Sequence, residues 1–171
     1  MANQYAKNYA LGSFNDILKT STTIDSVYKL NDEVDIFDDT LNVMTKYKYV
    51  YARNALLQYG CYEITYAGTA GQEVGCLTLP NATLSIYTLM GVPQVACASG
   101  SYCWVAIKGY CKITSTTDTT KGDFGSAIKA IATCTDSGAT LTTHSICTFE
   151  AARTGSGTVA CNLLGNRVVI A

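Results

Sequence analysis

The sequence predicts a mainly β protein: a compact β-sandwich or barrel-like domain over residues 44–171, preceded by an extended N-terminal arm over residues 1–43. Three observations predict it. Beyond Gly75 the chain is a succession of short apolar or alternating runs, and a period of two places successive side chains on opposite faces of a strand. Gly, Pro, Asn and Ser interrupt these runs at close intervals, as in sandwiches and barrels. Before Thr40 neither the helical nor the strand period is sustained.

Taken in order, the arm scatters Tyr5, Tyr9, Leu11, Phe14 and Ile17 among Asn, Asp, Ser and Thr, with a short helix possible from Ser13 to Lys19 under a Ser13 cap. Such an arm orders only against a neighbouring surface. Thr45 to Tyr51 sets Tyr47, Tyr49 and Tyr51 against Lys46, Lys48 and Val50, a strand signal. A helix over Leu41 to Leu57 competes, because Leu41, Met44, Tyr47 and Tyr51 also fall at helical spacing. Tyr59-Gly60 reads as a turn, Cys61 to Tyr66 as a strand and Gly68 to Gly71 as a loop. The later strand candidates are Cys76 to Leu79, Leu84 to Met90, Gln94 to Cys97, Tyr102 to Ile107, Tyr110 to Thr114, Ala127 to Thr133, Ser145 to Ala151, Thr158 to Leu164 and Arg167 to Ile170.

Charged residues are only 15% of the 171 and the formal net charge is -1, so electrostatic repulsion does little to keep copies apart and association is expected. The same balance argues against nucleic acid, since phosphate neutralisation needs clustered Lys and Arg and the densest basic pair is Lys46 with Lys48. No secretory signal and no run of about 20 apolar residues is visible, so neither export nor a membrane partner is expected.

Eight cysteines, Cys61, Cys76, Cys97, Cys103, Cys111, Cys134, Cys147 and Cys161, would suit an oxidising compartment. They form no C-x-x-C pair, which removes the usual zinc and thioredoxin-like readings. Where they sit in alternating runs they occupy positions suited to Val or Ala, so buried thiols are the expected state, with disulfides formed after release from a reducing cytoplasm as the alternative. Cys97 and Cys103 flank the turn Ala98 to Ser101 and can face each other across a hairpin.

No constellation compels catalysis, a metal or a cofactor. His144 is the single histidine and nothing sets an activated thiol beside it. Asp32, Glu33, Asp35, Asp38 and Asp39 crowd together without a Gly-punctuated calcium-loop pattern, which reads as a solvated or interfacial acidic face. Asn81-Ala82-Thr83 matches a glycosylation acceptor by chance, and Gly68 to Gly71 lacks the Gly-Lys-Ser/Thr ending of a phosphate-cradling loop. Trp104, the only tryptophan, lies within a strand and is expected in the core or a subunit interface.

The stretch from Gly100 to Gly109, containing Trp104, Val105 and Gly109, resembles a Gly-x-x-Trp-Val-x-x-x-Gly pattern of small tailed-phage virion proteins. Lys121-Gly122-Asp123 and the strand from Tyr47 to Arg53 match the same pattern, over roughly Tyr47 to Leu164. Proteins of this kind are similar to head decoration, or cement, proteins. The resemblance implies a β-tulip-type domain without catalytic residues. It also implies a homotrimer, the major capsid protein as partner, and a place on the capsid exterior after assembly in the host cytoplasm. Two other classes fit the residues: a disulfide-braced adhesin or carbohydrate-binding module using Trp104 and tyrosines as a platform, and a tail or fibre component. A hydrolase built on the acidic stretch or His144 is the least supported.

Overall fold

The computed structural model describes residues 17–23, 28–69, 72–78, 89–128, 131–142 and 144–165. Among them there are eleven strands and no helix: β1 (Thr20–Ser21), β2 (Glu33–Asp38), β3 (Val43–Tyr51), β4 (Tyr62–Thr69), β5 (Gln72–Thr78), β6 (Leu89–Pro93), β7 (Tyr102–Ser115), β8 (Phe124–Ala127), β9 (Cys134–Asp136), β10 (Ser145–Phe149) and β11 (Gly157–Leu163). The mainly β, barrel-like class is therefore the observed one.

The architecture turns on β7, whose 14 residues serve two closed circuits. Its first half pairs with β3 on one edge, from Tyr51 opposite Tyr102 to Thr45 opposite Gly109, and with β6 on the other. The chain β7-β6-β4-β5-β3 closes on itself, giving a five-strand barrel completed by the parallel bridge of Tyr51 to Cys76. The second half of β7 pairs with β11, from Gly109 opposite Leu163 to Ser115 opposite Gly157. From there β11-β10-β8-β9 returns to β7 through Ser115 and Cys134.

Gly109 is the hinge between the two circuits because it pairs with both β3 and β11. Its φ of +88° lies in the left-handed region, and a Cβ there would overlap the Met44 carbonyl oxygen. Only glycine lets β3 and β7 approach so closely. Lys108-Gly109 therefore reads in sequence as a break between two strands, yet it is a kink within one.

Two apolar clusters result. Val50, Ala52, Leu56, Tyr62, Ile64, Cys97, Cys103, Val105 and Ile107 form one. The larger joins Tyr47, Tyr49, Trp104 and Ala106 from the other face of β3 and β7 to Cys111, Ile113, Cys134, Cys147, Phe149, Val159, Cys161 and Leu163. Both faces of β3 are thus buried, and Lys48 is almost wholly enclosed. Its ammonium lies 2.8 Å from Glu33 on β2. Burial works against the charge of Lys48, but the Glu33 hydrogen bond and Tyr66 outweigh it and the pKa rises.

Residues 1–16, with Tyr5, Tyr9, Leu11 and Phe14, lie outside those described. Of the segment expected to form the arm, residues 17–43 as described are built into the body. Ile17, Val34 and Ile36 are buried in the larger cluster, β1 pairs with Cys103 and Tyr102, and β2 pairs with β3 along its whole length. The cause is visible in β2, whose burial falls on Val34 and Ile36 while Glu33 and Asp35 meet Lys46 and Lys48. The helix expected from Ser13 to Lys19 falls largely outside the described residues, and Ile17 and Leu18 form a turn.

Other differences have local reasons. Gln94 to Cys97 is no strand: Gln94 instead donates to the Lys112 carbonyl and accepts from its N–H, and Cys97 makes one isolated bridge to Leu56. Ala127 to Thr133 gives way to β8 and β9 on either side. Gly125, which reads as a breaker, lies inside β8, where a Cβ would sit 2.6 Å from the Cys147 sulfur and 2.8 Å from the Phe149 ring. Most of Leu84 to Met90, and all of Arg167 to Ile170, lie outside the described residues.

Candidate functional site

Two features of the body stand out for contact and chemistry, and they share a wall. The first is a cleft of about 350 Å³ between the β2–β3 hairpin, the turn at Gln58-Tyr59 and the middle of β7, lined by Leu18, Ile36, Leu41, Val43, Tyr47 and Tyr110 among others. Its outer lip is the hairpin tip. There the Asp38 carboxylate accepts the backbone N–H of Thr40 at 2.9 Å and of Leu41 at 3.1 Å, and Asn42 takes a positive φ of 55°. Short polar side chains that satisfy neighbouring amides and tolerate this backbone are what a tight turn needs. The acidic stretch is thus structural: Asp38 holds the tip, while Glu33 and Asp35 face Lys46 and Lys48 across the hairpin.

Leu41 on the tip and Met44 at the start of β3 are each about half exposed (52% and 51%). Leu41 lines the mouth of the cleft, while Met44 lies in β3 on the face opposite to the cleft-lining Val43 and Thr45. The inner lip is equally fixed. Gln58 donates to the Gln94 carbonyl at 3.0 Å, Tyr59 adopts a φ of 61° with its N–H on the Pro93 carbonyl, and the Lys112 ammonium lies 6.0 Å from the Tyr59 ring centre. On the floor, burial, the nearby Cys111 and the charge of Asp38 push the Tyr47 hydroxyl well above the ordinary tyrosine range, so it stays neutral.

The second feature is a row of thiols behind that floor. The seven described cysteines are all buried thiols outside any disulfide. Cys111 and Cys161 are direct partners across β7 and β11, with their sulfurs 3.7 Å apart. Hydrogen bonds between thiols link Cys161 onward to Cys147 and Cys147 to Cys134, and all three lie well above the ordinary thiol range. Cys161 is raised by its bond to Cys111 and by burial against the lowering bond to Cys147. Cys147 is lowered by its bond to Cys134 but raised further by Cys161 and burial, and Cys134 is raised by Cys147 and burial. Cys134 and Cys147, kept protonated in this way and away from the cleft, are packing groups.

The other residues singled out by sequence are dispersed. Cys97 and Cys103 do come together, Cys97 on its bridge to Leu56 and Cys103 opposite Val50; their shared hydrogen bond lowers Cys97 and, with burial, raises Cys103. Trp104 is 2% exposed, enclosed by the edge of Tyr28 at 5.1 Å and by Tyr49 at 5.1 Å. It has no face to offer a sugar, which removes the residue on which a carbohydrate platform would rest. Val105 is buried in the smaller cluster and Gly109 is the hinge. His144 is exposed, with its N–H on the Thr142 hydroxyl at 3.3 Å. Among the described residues no group of three or more His, Cys, Asp or Glu could hold a metal ion.

Sequence reasoning missed the cleft, because its wall is assembled from segments as distant as Leu18 and Lys112. The one local signal was Asp-Asp-Thr-Leu-Asn at 38–42, a turn followed by apolar residues.

The described residues form a compact β barrel with a buried aromatic strand. Its fold is similar to that of the N-terminal base of the head fibre gp8.5 of bacteriophage phi29. The match has a TM-score of 0.50 at 11% identity, covering 74% of this chain and all of that one. No protein-family model and no curated protein matches the sequence.

Proposed function

We propose that this chain is a structural protein of a tailed-phage virion that mounts on the head. The observation that carries the reading is the fold it shares with a head-fibre base, which spans that whole chain. The resemblance of Gly100 to Gly109 to small virion proteins supports it independently, with a physical basis in the buried Trp104 and the hinge at Gly109. In this reading the chain is no enzyme: its work is adhesion to the major capsid protein on the outer surface of the shell, as a homotrimer. The exposed Leu41 and Met44 and the sequence segment carrying Tyr5, Tyr9, Leu11 and Phe14 supply the contacts. Several contacts made at once give avidity that a single modest interface lacks, so each copy can bridge neighbouring capsomers as a cement.

The same neighbour favours a second form of the reading, in which the chain is the base of a projecting fibre. Mixing purified protein with empty heads of the encoding phage separates the two. A cement binds and raises the melting temperature of the heads, a fibre base binds without raising it, and failure to co-sediment with heads refutes both.

A further inference from the structure

We propose that Cys111 and Cys161 form an oxidation site, at which a small hydroperoxide entering through the cleft closes a disulfide between β7 and β11. The pair is built for it. The two residues are direct antiparallel partners, and such positions hold their Cα atoms about 4.5–5.5 Å apart, inside the range a disulfide accepts. The sulfurs are already in contact at 3.7 Å, so side-chain rotation alone brings them within bonding distance.

A position on the cleft distinguishes Cys111 from the thiols of its own row. Cys111 lines the cleft and is 4% exposed, whereas Cys161, Cys147 and Cys134 are completely enclosed. Cys111 is therefore the sulfur that an incoming oxidant meets. Cys161 lies behind it and keeps its proton, held mainly by the hydrogen bond to Cys111. The roles follow. The Cys111 sulfur, as thiolate, attacks one peroxide oxygen; an S–O bond forms, the O–O bond breaks, and the departing hydroxide takes a proton to become water. The Cys161 sulfur then attacks the Cys111 sulfenic sulfur; the S–S bond forms, the S–O bond breaks, and hydroxide leaves with the Cys161 proton as a second water. Two thiols have lost two electrons to one peroxide.

The bond spans 50 residues and ties the two strands that close the second circuit. It leaves the protein reduced during synthesis in a reducing cytoplasm and cross-linked once outside it. This chemistry stands whether or not the chain is a virion protein.

The test uses the full-length protein, exposed to hydrogen peroxide while folded, then denatured in an alkylating reagent and mapped by peptide mass spectrometry. The expected result is a single linked peptide pair joining Cys111 to Cys161, with alkylatable thiols falling from eight to six. The oxidised protein should melt roughly 10 °C higher, reversibly with dithiothreitol, given the size of loop closed. In Cys161→Ser, Cys111 should accumulate as the sulfenic acid and be captured by dimedone. Linkage first at Cys134–Cys147 or Cys97–Cys103, or eight free thiols after peroxide treatment that leaves the fold intact, overturns the proposal on the wild-type protein alone.

Discussion

Replacing Gly109 by alanine probes the hinge on which both circuits depend. At φ +88° an alanine carries about 1–2 kcal/mol of backbone strain. Its Cβ would also overlap the Met44 carbonyl oxygen and lie 3.2 Å from the Thr45 Cα, both backbone atoms, so no side-chain rotation relieves the clash. Relief requires β3 to part from β7 at the Thr45–Gly109 pairing, which forfeits at least one buried hydrogen bond worth about 1–2 kcal/mol. The total is about 3 kcal/mol. Gly138 is the control: its φ is +79°, and a Cβ there meets nothing within 4 Å, so alanine costs only the backbone strain, about 1 kcal/mol. Guanidinium unfolding of the two variants, or melting temperatures lowered by roughly 6–12 °C against 2–4 °C, measures the difference. Equal losses for Gly109→Ala and Gly138→Ala would refute the claim that close strand approach, and not the turn alone, demands the glycine.

Phe149→Ala, which empties a fully buried ring site facing Gly125, should cost about 3–5 kcal/mol in the same assay. Asp38→Ala removes the acceptor for two tip amides and should cost about 1 kcal/mol, while Asp38→Asn, which keeps that oxygen, stays near wild type. Leu41→Asp and Met44→Asp should leave the melting temperature unchanged, because both side chains are half in water, and abolish co-sedimentation with heads. Stability should fall steeply in alkali. The folded-state pKa values of Cys103, Cys134, Cys147, Cys161, Tyr47 and Lys48 are all raised, so the native state holds protons that the unfolded chain releases. Stability from the thiols is complete below their unfolded pKa of about 8.5 and declines above it by about 1.4 kcal/mol per pH unit for each group. Tyr47 and Lys48 join near pH 10. Melting curves from pH 7 to 11 that stay flat would contradict this.

The β class was legible because alternation and turn residues act locally. Thr45 to Tyr51, Ser145 to Ala151 and Thr158 to Leu164 coincide closely with β3, β10 and β11. The alternation of Tyr47, Tyr49 and Tyr51 did not show that both faces of β3 are buried, since burial on the second face comes from β7 closing a circuit far along the chain. The same distance effect hid the role of the acidic residues. Glu33 looks like surface charge until β3 sets Lys48 opposite it. Glycine was ambiguous for a physical reason: at Gly122 it marks a turn, but at Gly109 and Gly125 it marks close approach inside a strand, and only the partner atoms tell these apart. Cys97 and Cys103 lie a short turn apart in sequence, but Cys97 bridges to Leu56 and Cys103 faces Val50, so they are not partners across a hairpin. Cys111 with Cys161 was not legible, because 50 residues and a strand pairing lie between them.

Under the proposed function this body is mounted on a phage head by protein contact. Cryo-electron microscopy of particles from the encoding phage tests it most directly. The barrel is expected as repeated density on the outer head surface, with Leu41 and Met44 against the shell. Bare heads, in particles whose purified fraction lacks the chain, would contradict it.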